Sequence, residues 1–395
     1  MQLFHIFHQN KFRRLIHSDF TLFEVSVWLH TFARSMVSIF IPIFLLQIGY
    51  SLTEVLIFYL IYNLLDVPLN FVARYLVRKI GARWVIILGS LSSVIFFIGV
   101  FYLKVNMWPL LILIALLAAI YDTFYWVAHL YFFMKCSEND DDVSGDTSWM
   151  SIVRQVASFL APLFGALILI FLDKSFLIIL STVLLTFSVI PLFLLRGVDD
   201  KPTRKQKTFK EFFHSWDITR DYIVTSFRAI TNTSESVIWP IFIFILFANI
   251  ESVAVLPMII SLTTILFTYF VGKTAKEKRE SIMITGALVV SLVWILRLVI
   301  ENNIFYFTSV FLVGLFSILI AIPLDSYIFE KGEKLDTLSA STYRNTVHMG
   351  ANAIFFALLL ILVEVFNVSF IIASISMILT ATIIYFFGER TLKHK

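Results

Sequence analysis

The chain has 395 residues, of which 59% are hydrophobic and 15% charged, with a formal charge of +4 and a single cysteine, Cys136. Soluble domains run about 45–50% apolar and about 25% charged, so this composition excludes a soluble enzyme, a disordered chain and a disulfide-stapled secreted domain. One cysteine also excludes an intramolecular disulfide or a multi-cysteine metal site.

Residues 1–19 mix Phe4, Phe7 and Leu15 with Lys11, Arg13 and Arg14 and contain no long apolar core. That pattern predicts a short amphipathic helix on the cytoplasmic membrane surface rather than a signal peptide. A membrane-crossing helix needs about 20 apolar residues. Twelve stretches qualify: 20–48, 53–76, 84–103, 108–134, 148–172, 175–196, 220–248, 250–272, 281–300, 304–329, 338–364 and 367–388. The expected fold class is therefore an all-α integral membrane protein with twelve transmembrane helices.

Lysine and arginine placement sets the orientation. With both termini inside, the inner segments hold 23 of the 31 basic residues, and the outer loops hold only Lys104 and Lys174. This bias predicts a multi-pass protein of the plasma membrane with cytoplasmic termini, and it accounts for the positive charge without nucleic acid. The longest polar segment, 197–219, contains Lys201-Pro-Thr-Arg-Lys-Gln-Lys207 and separates six spans from six. The expected domains are thus a cytoplasmic segment 1–19, a six-helix half 20–196, a basic linker 197–219, a second half 220–388 and a tail 389–395. The acidic run Ser137–Asp142 reads as a solvated turn.

The halves repeat each other. Ser38-Ile-Phe-Ile-Pro42-Ile-Phe in the first span matches Ser236-Val-Ile-Trp-Pro240-Ile-Phe in the seventh, and Asp122-Thr-Phe-Tyr in the fourth echoes Asp325-Ser-Tyr-Ile in the tenth. Arg154 and Arg344 correspond in the fifth and eleventh spans. Parallel six-span repeats are a transporter signature. Together with the twelve spans and the basic central loop, this pattern resembles the major facilitator superfamily over nearly the whole chain. That family's loop 2–3 motif runs Gly-x-x-x-Asp-Arg/Lys-x-Gly-Arg-Arg. Here Lys79, Gly81 and Arg83 match it, while Arg74, Arg78 and Ala82 stand where the family has a glycine, an acid and an arginine. The resemblance implies a cavity between the halves, lined by spans 1, 4, 7 and 10.

Ionisable residues at bilayer depth are costly and mark functional candidates. Counted from the outer span ends at ~1.5 Å per residue, Arg34, Asp66, Asp122 and Glu235 share one layer. His30, His129, Arg154, Arg228, Asp325 and Arg344 share a second, nearer the cytoplasm. The layers predict that Arg34 meets Asp66 or Asp122, and that Asp325 meets Arg344 and Arg228. These ion pairs among Asp66, Arg154, Asp325 and Arg344 can equally be fixed structural bridges. Glu235 has no arginine at its depth on a neighbouring span. Burial disfavours its charged form, which makes Glu235 and Asp122 the proton-coupling candidates.

Asp122, Tyr125, Trp126 and His129 fall at i, i+3, i+4 and i+7 and share one helical face, read as a binding wall. The substrate-binding candidates are Arg34, Tyr125, Trp126, His129, Arg228, Asn232 and Trp239. Pro42 and Pro240 are expected to kink their spans. No HExxH, GxSxG or GxxxxGK[ST] motif is present. The expected protein is a secondary active transporter of a small organic solute by alternating access, proton-coupled and monomeric, with no cofactor or metal. A passive channel, a uniporter, a lipid scramblase or an intramembrane enzyme of the same architecture are the alternatives.

Overall fold

The computed structural model describes residues 19–138, 160–195, 201–202 and 206–388. The amphipathic segment before Asp19, Arg154, the acidic run beyond Glu138 and the tail 389–395 lie outside the described residues. Among the described residues the structure is helical, with no strand. Ten helices are long and apolar enough to cross a membrane: α1 Thr21–Ile48, α2 Leu52–Ile80, α3 Ala82–Tyr102, α4 Trp108–Phe132, α6 Lys174–Leu194, α7 Trp216–Phe247, α9 Arg279–Val299, α10 Asn303–Gly332, α11 Thr337–Ile361 and α12 Val365–Phe387. Two shorter apolar helices, α5 Leu160–Phe171 and α8 Ile250–Ile260, bring the number to twelve. The protein is an integral, multi-pass membrane protein.

Short polar turns join the helices and cap them. Ser51 and Glu54 form a reciprocal capping box at the start of α2. Asp173, Asn249 and Asn302 each accept a backbone N–H at the start of α6, α8 and α10. Gly81, between α2 and α3, takes φ of 94°, a conformation that a side chain opposes.

α8 and α9 belong to one helical stretch, Ile250–Val299. A straight helix would separate Ile260 from Gly286 by about 39 Å. Yet Gly314 of α10 packs on Ile260 while Phe316 and Leu319, within two turns of it, pack on Gly286. The stretch therefore folds back on itself, and α8 and α9 run antiparallel.

The repeated Ser-x-x-x-Pro element acts on the backbone in both halves. A proline ring clashes with the carbonyl four residues earlier and lacks an N–H donor. In α1 the helix breaks after Ser35, passes through a tight turn at Ser38–Phe40 and resumes at Ile41, beside Pro42. In α7 the helix widens into a π turn at Ser234–Ile238 and resumes at Trp239, beside Pro240. One motif thus produces over-wound backbone in one half and under-wound backbone in the other, both at mid-span.

α5 crosses the α1 break at Gly165. A Cβ there would sit 2.2 Å from the Met36 carbonyl oxygen, too close for any side chain. Small residues permit such backbone approach in membrane bundles. Gly165→Val is therefore expected to force α5 off α1 and cost about 1–3 kcal/mol, as overpacking does. A lower melting temperature in detergent, relative to a valine placed at the lipid-facing Leu167 of the same helix, is the measurement that checks it.

Candidate functional site

A cavity of about 440 Å³ lies between the halves. Helices of both halves line it: Arg34 and Ser38 from α1, Tyr59, Tyr62 and Asn63 from α2, Phe96 from α3, Thr233, Glu235 and Ser236 from α7, and His348, Asn352 and Phe356 from α11. Its size falls in the range of small-molecule sites, about 300–1,000 Å³. The broken backbone of α1 and the π turn of α7 both form part of its wall.

Arg34 is half-buried in this wall. Its guanidinium lies 3.8 Å from the ring centroid of Tyr121 and 5.9 Å from that of Phe96, and it donates to Ser93 Oγ at 3.2 Å. Among the described residues it has no carboxylate within 4 Å. The expectation that Arg34 pairs directly with Asp66 or Asp122 is thus corrected. The ring of Tyr121, adjacent to Asp122, occupies that place through a cation–π contact.

Glu235 carries a second correction. Arg297 of α9 donates to both carboxylate oxygens, at 2.6 and 3.1 Å. The guanidinium stacks 3.7 Å from Trp239 and 4.3 Å from Trp294, and also donates to Ser309 Oγ at 2.8 Å. Depth counted along the sequence puts Arg297 near the outer end of its span and therefore far from Glu235. The long guanidinium arm closes that gap. The acid expected to lack a partner holds a buried ion pair, with the arginine side chain 0% exposed. Trp239 is fully buried beneath this pair and does not reach the cavity.

The face of α4 read as a binding wall mostly points into its own half. Tyr125 stacks on His30 of α1 at 4.0 Å and on His129 at 5.3 Å, and His129 packs on Phe23. His30 Nε2 lies 3.0 Å from the Tyr121 hydroxyl. Trp126 is 49% exposed but lies outside the cavity wall. In α7, Arg228 contacts Asp325 at 3.2 Å and Asn232 is absent from the wall, which Thr233 and Ser236 occupy instead. A π turn holds more residues per turn than an α-helix and rotates everything before it. Asp325 also accepts from Arg344 at 2.5 Å, so one carboxylate bridges α7, α10 and α11.

A polar seam between α2 and α11 closes the basic-loop end. Asn63, Asp66 and Asn70 fall at i, i+3 and i+7, as do Asn345, His348 and Asn352. Asn70 Nδ2 donates to Asp66 Oδ1 at 2.8 Å, and Asn345 Nδ2 reaches Asp66 Oδ1 at 3.1 Å and Asn70 Oδ1 at 3.0 Å. Asp122 lies beside them, surrounded by Arg34, Tyr62, Trp126 and Asn345. One turn nearer the basic end, Arg74 donates to Gln206 Oε1, the Lys207 carbonyl, Ser339 Oγ and the Tyr343 hydroxyl, at 2.7 to 3.1 Å. Ser339 in turn donates to Asp336. Of the loop motif, Arg83 donates to the Leu195 carbonyl at 2.6 Å, tying α3 to α6, while Lys79 lies over the Tyr75 ring. The asparagines escape a sequence search directed at charge. Their shared i, i+3, i+7 spacing is the signal that could have found them.

The sequence profile of the Major Facilitator Superfamily matches residues 24–355. The chain belongs to the Major Facilitator Superfamily. No curated protein matches it at the sequence level. Solved structures share the fold of this superfamily member. A POT family transporter in complex with 5-aminolevulinic acid superimposes with a TM-score of 0.71 at 14% identity, covering 94% of this chain and 96% of that one. The peptide transporter POT in complex with sulfate gives 0.70 at 13%, covering 93% and 94%. A POT family transporter in complex with a thioalcohol-conjugated peptide gives 0.70 at 12%, covering 94% and 96%. As a member of this superfamily the chain is a secondary transporter, not an enzyme.

The ion pairs yield a stability prediction. Glu235→Gln strands a buried guanidinium and is expected to cost about 3–5 kcal/mol, the penalty for removing one partner of a buried pair. Glu235→Gln combined with Arg297→Met is expected to recover part of that loss. At the other site, Asp325→Asn removes the carboxylate that two guanidiniums share and is expected to destabilise more than Arg344→Gln, which leaves Arg228 on the acid. Melting temperatures in detergent check both comparisons.

Proposed function

We propose that this facilitator is a proton-coupled secondary transporter of a small organic solute with an anionic group and an apolar body. One observation carries the reading. The cavity between the halves presents a guanidinium, Arg34, that has stacking and hydroxyl partners but no carboxylate within 4 Å among the described residues. A substrate carboxylate would supply the missing charge. Tyr59, Phe58, Phe96 and Phe356 offer apolar contact around it, and Asn63 and Asn352 offer amide groups. The structural neighbours were solved with 5-aminolevulinic acid, sulfate and a conjugated peptide, in keeping with anion-bearing ligands.

The proton is assigned to the acid pair Asp122 and Asp66 rather than to Glu235. Glu235 is charge-paired with Arg297. Asp66 and Asp122 are buried, each leaves one carboxylate oxygen without a hydrogen bond, and neither has a basic side chain within 4 Å among the described residues. A proton can be taken up there without breaking an ion pair. Tyr62, which lines the cavity, lies in the field of both acids and marks the route by which a proton arrives. The halves 20–196 and 220–388 would rock about this site, with the linker 197–219 and both termini in the cytoplasm of a plasma-membrane monomer.

In proteoliposomes with an imposed pH gradient, wild-type protein is expected to concentrate an organic anion from a substrate panel. Arg34→Ala is expected to lower apparent affinity at least tenfold, and Arg34→Lys to restore part of it, since a buried charge-assisted contact contributes about 1.5–3 kcal/mol. Asp122→Asn is expected to abolish accumulation while leaving exchange intact. Glu235→Gln, once stabilised by Arg297→Met, is expected to keep gradient-driven uptake. If uptake proceeds down a concentration gradient and ignores pH, the chain is a uniporter. For orientation, a membrane-impermeant maleimide added to intact cells is expected to react with Glu251→Cys and not with Lys201→Cys, each on a Cys136→Ser background.

A further inference from the structure

The basic end of the cavity is closed by two layers of contact between α2 and α11, and they differ in chemistry. In the outer layer Arg74 binds only neutral acceptors: an amide oxygen, a carbonyl and two hydroxyls. Arginine stays protonated at all relevant pH, so Arg74 itself does not respond to pH; the carboxylate nearest this layer, Asp336, lies one hydrogen bond further on, at Ser339 and the Lys207 N–H. In the inner layer the acceptor is a carboxylate. Asp66 Oδ1 receives one N–H from Asn70 on its own helix and one from Asn345 across the interface. Oδ2 of the same carboxyl is buried without a hydrogen bond, and the residue is 0% exposed.

We propose that Asn345 is the positioning residue through which protonation of Asp66 opens the basic end: ionised Asp66 holds α11 against α2 through Asn345, and protonated Asp66 releases it. The proposal rests on the assignment of the proton to the Asp66–Asp122 pair. Its chemistry is that of hydrogen-bond strength. A bond to an ionised acceptor is roughly twice as strong as one between neutral groups. Asn345 Nδ2 also donates to Asn70 Oδ1, so both of its contacts across the seam are to α2, and Asp122 of α4 lies beside it. A proton placed on Oδ2 removes the charge without displacing either N–H, and the seam weakens while its geometry is retained. The carboxyl is thereafter neutral, so α11 can leave without exposing an unpaired carboxylate in the membrane.

Other groups bear on this acid. Asp122 and Tyr121 from α4, Arg34 from α1 and Tyr62 from α2 share its field. Arg344 and His348 flank Asn345 on α11, with Arg228 of α7 and Asp325 of α10 beyond them. A substrate anion bound at Arg34 would place a further negative charge beside the acid pair, which a bound proton would offset. The latch would then open when proton and anion are bound together, which is the logic of symport towards the basic end.

Alkylation of a buried seam residue tests the latch without knowledge of the substrate. Ser341 of α11 donates to the Trp126 and Val127 carbonyls of α4 and is shielded while the halves are closed. Full-length Ser341→Cys on a Cys136→Ser background, in lipid nanodiscs, is treated with a soluble maleimide in mildly acidic and mildly alkaline buffer, and rates are corrected for intrinsic thiolate reactivity with a cysteine placed at exposed Lys201. Corrected alkylation is expected to be about tenfold faster in acid, the size of one charge-assisted hydrogen bond. Adding Asn345→Ala is expected to bring the two rates together by raising the alkaline one. Asp66→Asn, which keeps the side-chain shape, is expected to do the same and serves if Asn345→Ala does not fold. Arg74→Ala is expected to raise both rates and keep their ratio. A ratio unchanged by Asn345→Ala or by Asp66→Asn overturns the latch, as does a parent protein without a pH response. If the response runs through Asn345 and yet no solute accumulates under a pH gradient, the latch stands and the coupled-transport reading falls.

Discussion

A charge inside a bilayer must be paired, stacked or hydrogen-bonded, and the two halves of this protein meet that demand differently. In the second half, acids meet bases: Glu235 with Arg297, Asp325 with Arg228 and Arg344, Asp221 with Arg220 and Lys331. In the first half Arg34 rests on an aromatic ring, and Asp66 is held by amides. Electrostatically, the second half is settled without a ligand. In the first half, among the described residues, Arg34, Asp66 and Asp122 form no ion pair within 4 Å and are held by rings, hydroxyls and amides. Under the proposed function, substrate and proton would change the free energy of the first half more than that of the second.

This asymmetry is laid over a backbone repeat. Each half places Ser-x-x-x-Pro at mid-span of its first helix, and each responds with non-α backbone. Residues of both irregular segments line the cavity, as irregular backbone at membrane depth requires. In α7 the π turn carries Glu235 towards Arg297 and turns Asn232 away from the wall. In α1 the break leaves Arg34 at the end of the first segment, beneath Ser38 and next to the Gly165 crossing. The repeat sets where the wall departs from α-helical backbone, and the residues around it set the groups it presents.

Much of this is legible in the sequence. The membrane helices and the mid-span prolines follow from hydropathy and proline chemistry, and Asp325 lies with Arg228 and Arg344 as their shared depth suggests. The partner of Glu235 is not legible. Depth counting treats a side chain as a point at its Cα, whereas an arginine reaches several ångströms along the membrane normal. The α4 face misleads for another reason. Helical spacing shows that Tyr125 and His129 share a face, but not whether that face turns to the cavity or to α1. Neutral amides are easily overlooked because the cost of burying them is smaller than that of charge, although it is still large enough to demand partners.

The amides explain why α2 and α11, rather than the charged helices, join the halves. An ion pair between the halves would have to be broken in every cycle, leaving two desolvated charges at each opening. A carboxylate held by amides loses less on parting, and loses least when it is protonated first. Arg74 follows the same logic: its four acceptors are neutral, so the gate can part with one solvated guanidinium and no stranded acid. Where the family motif has an acid three residues before its second glycine, this chain has Arg78 ahead of Gly81, and Arg74, one turn earlier on α2, makes the contact with α11. The result is a seam strong enough to close the basic end and weak enough, once Asp66 is neutral, to open it.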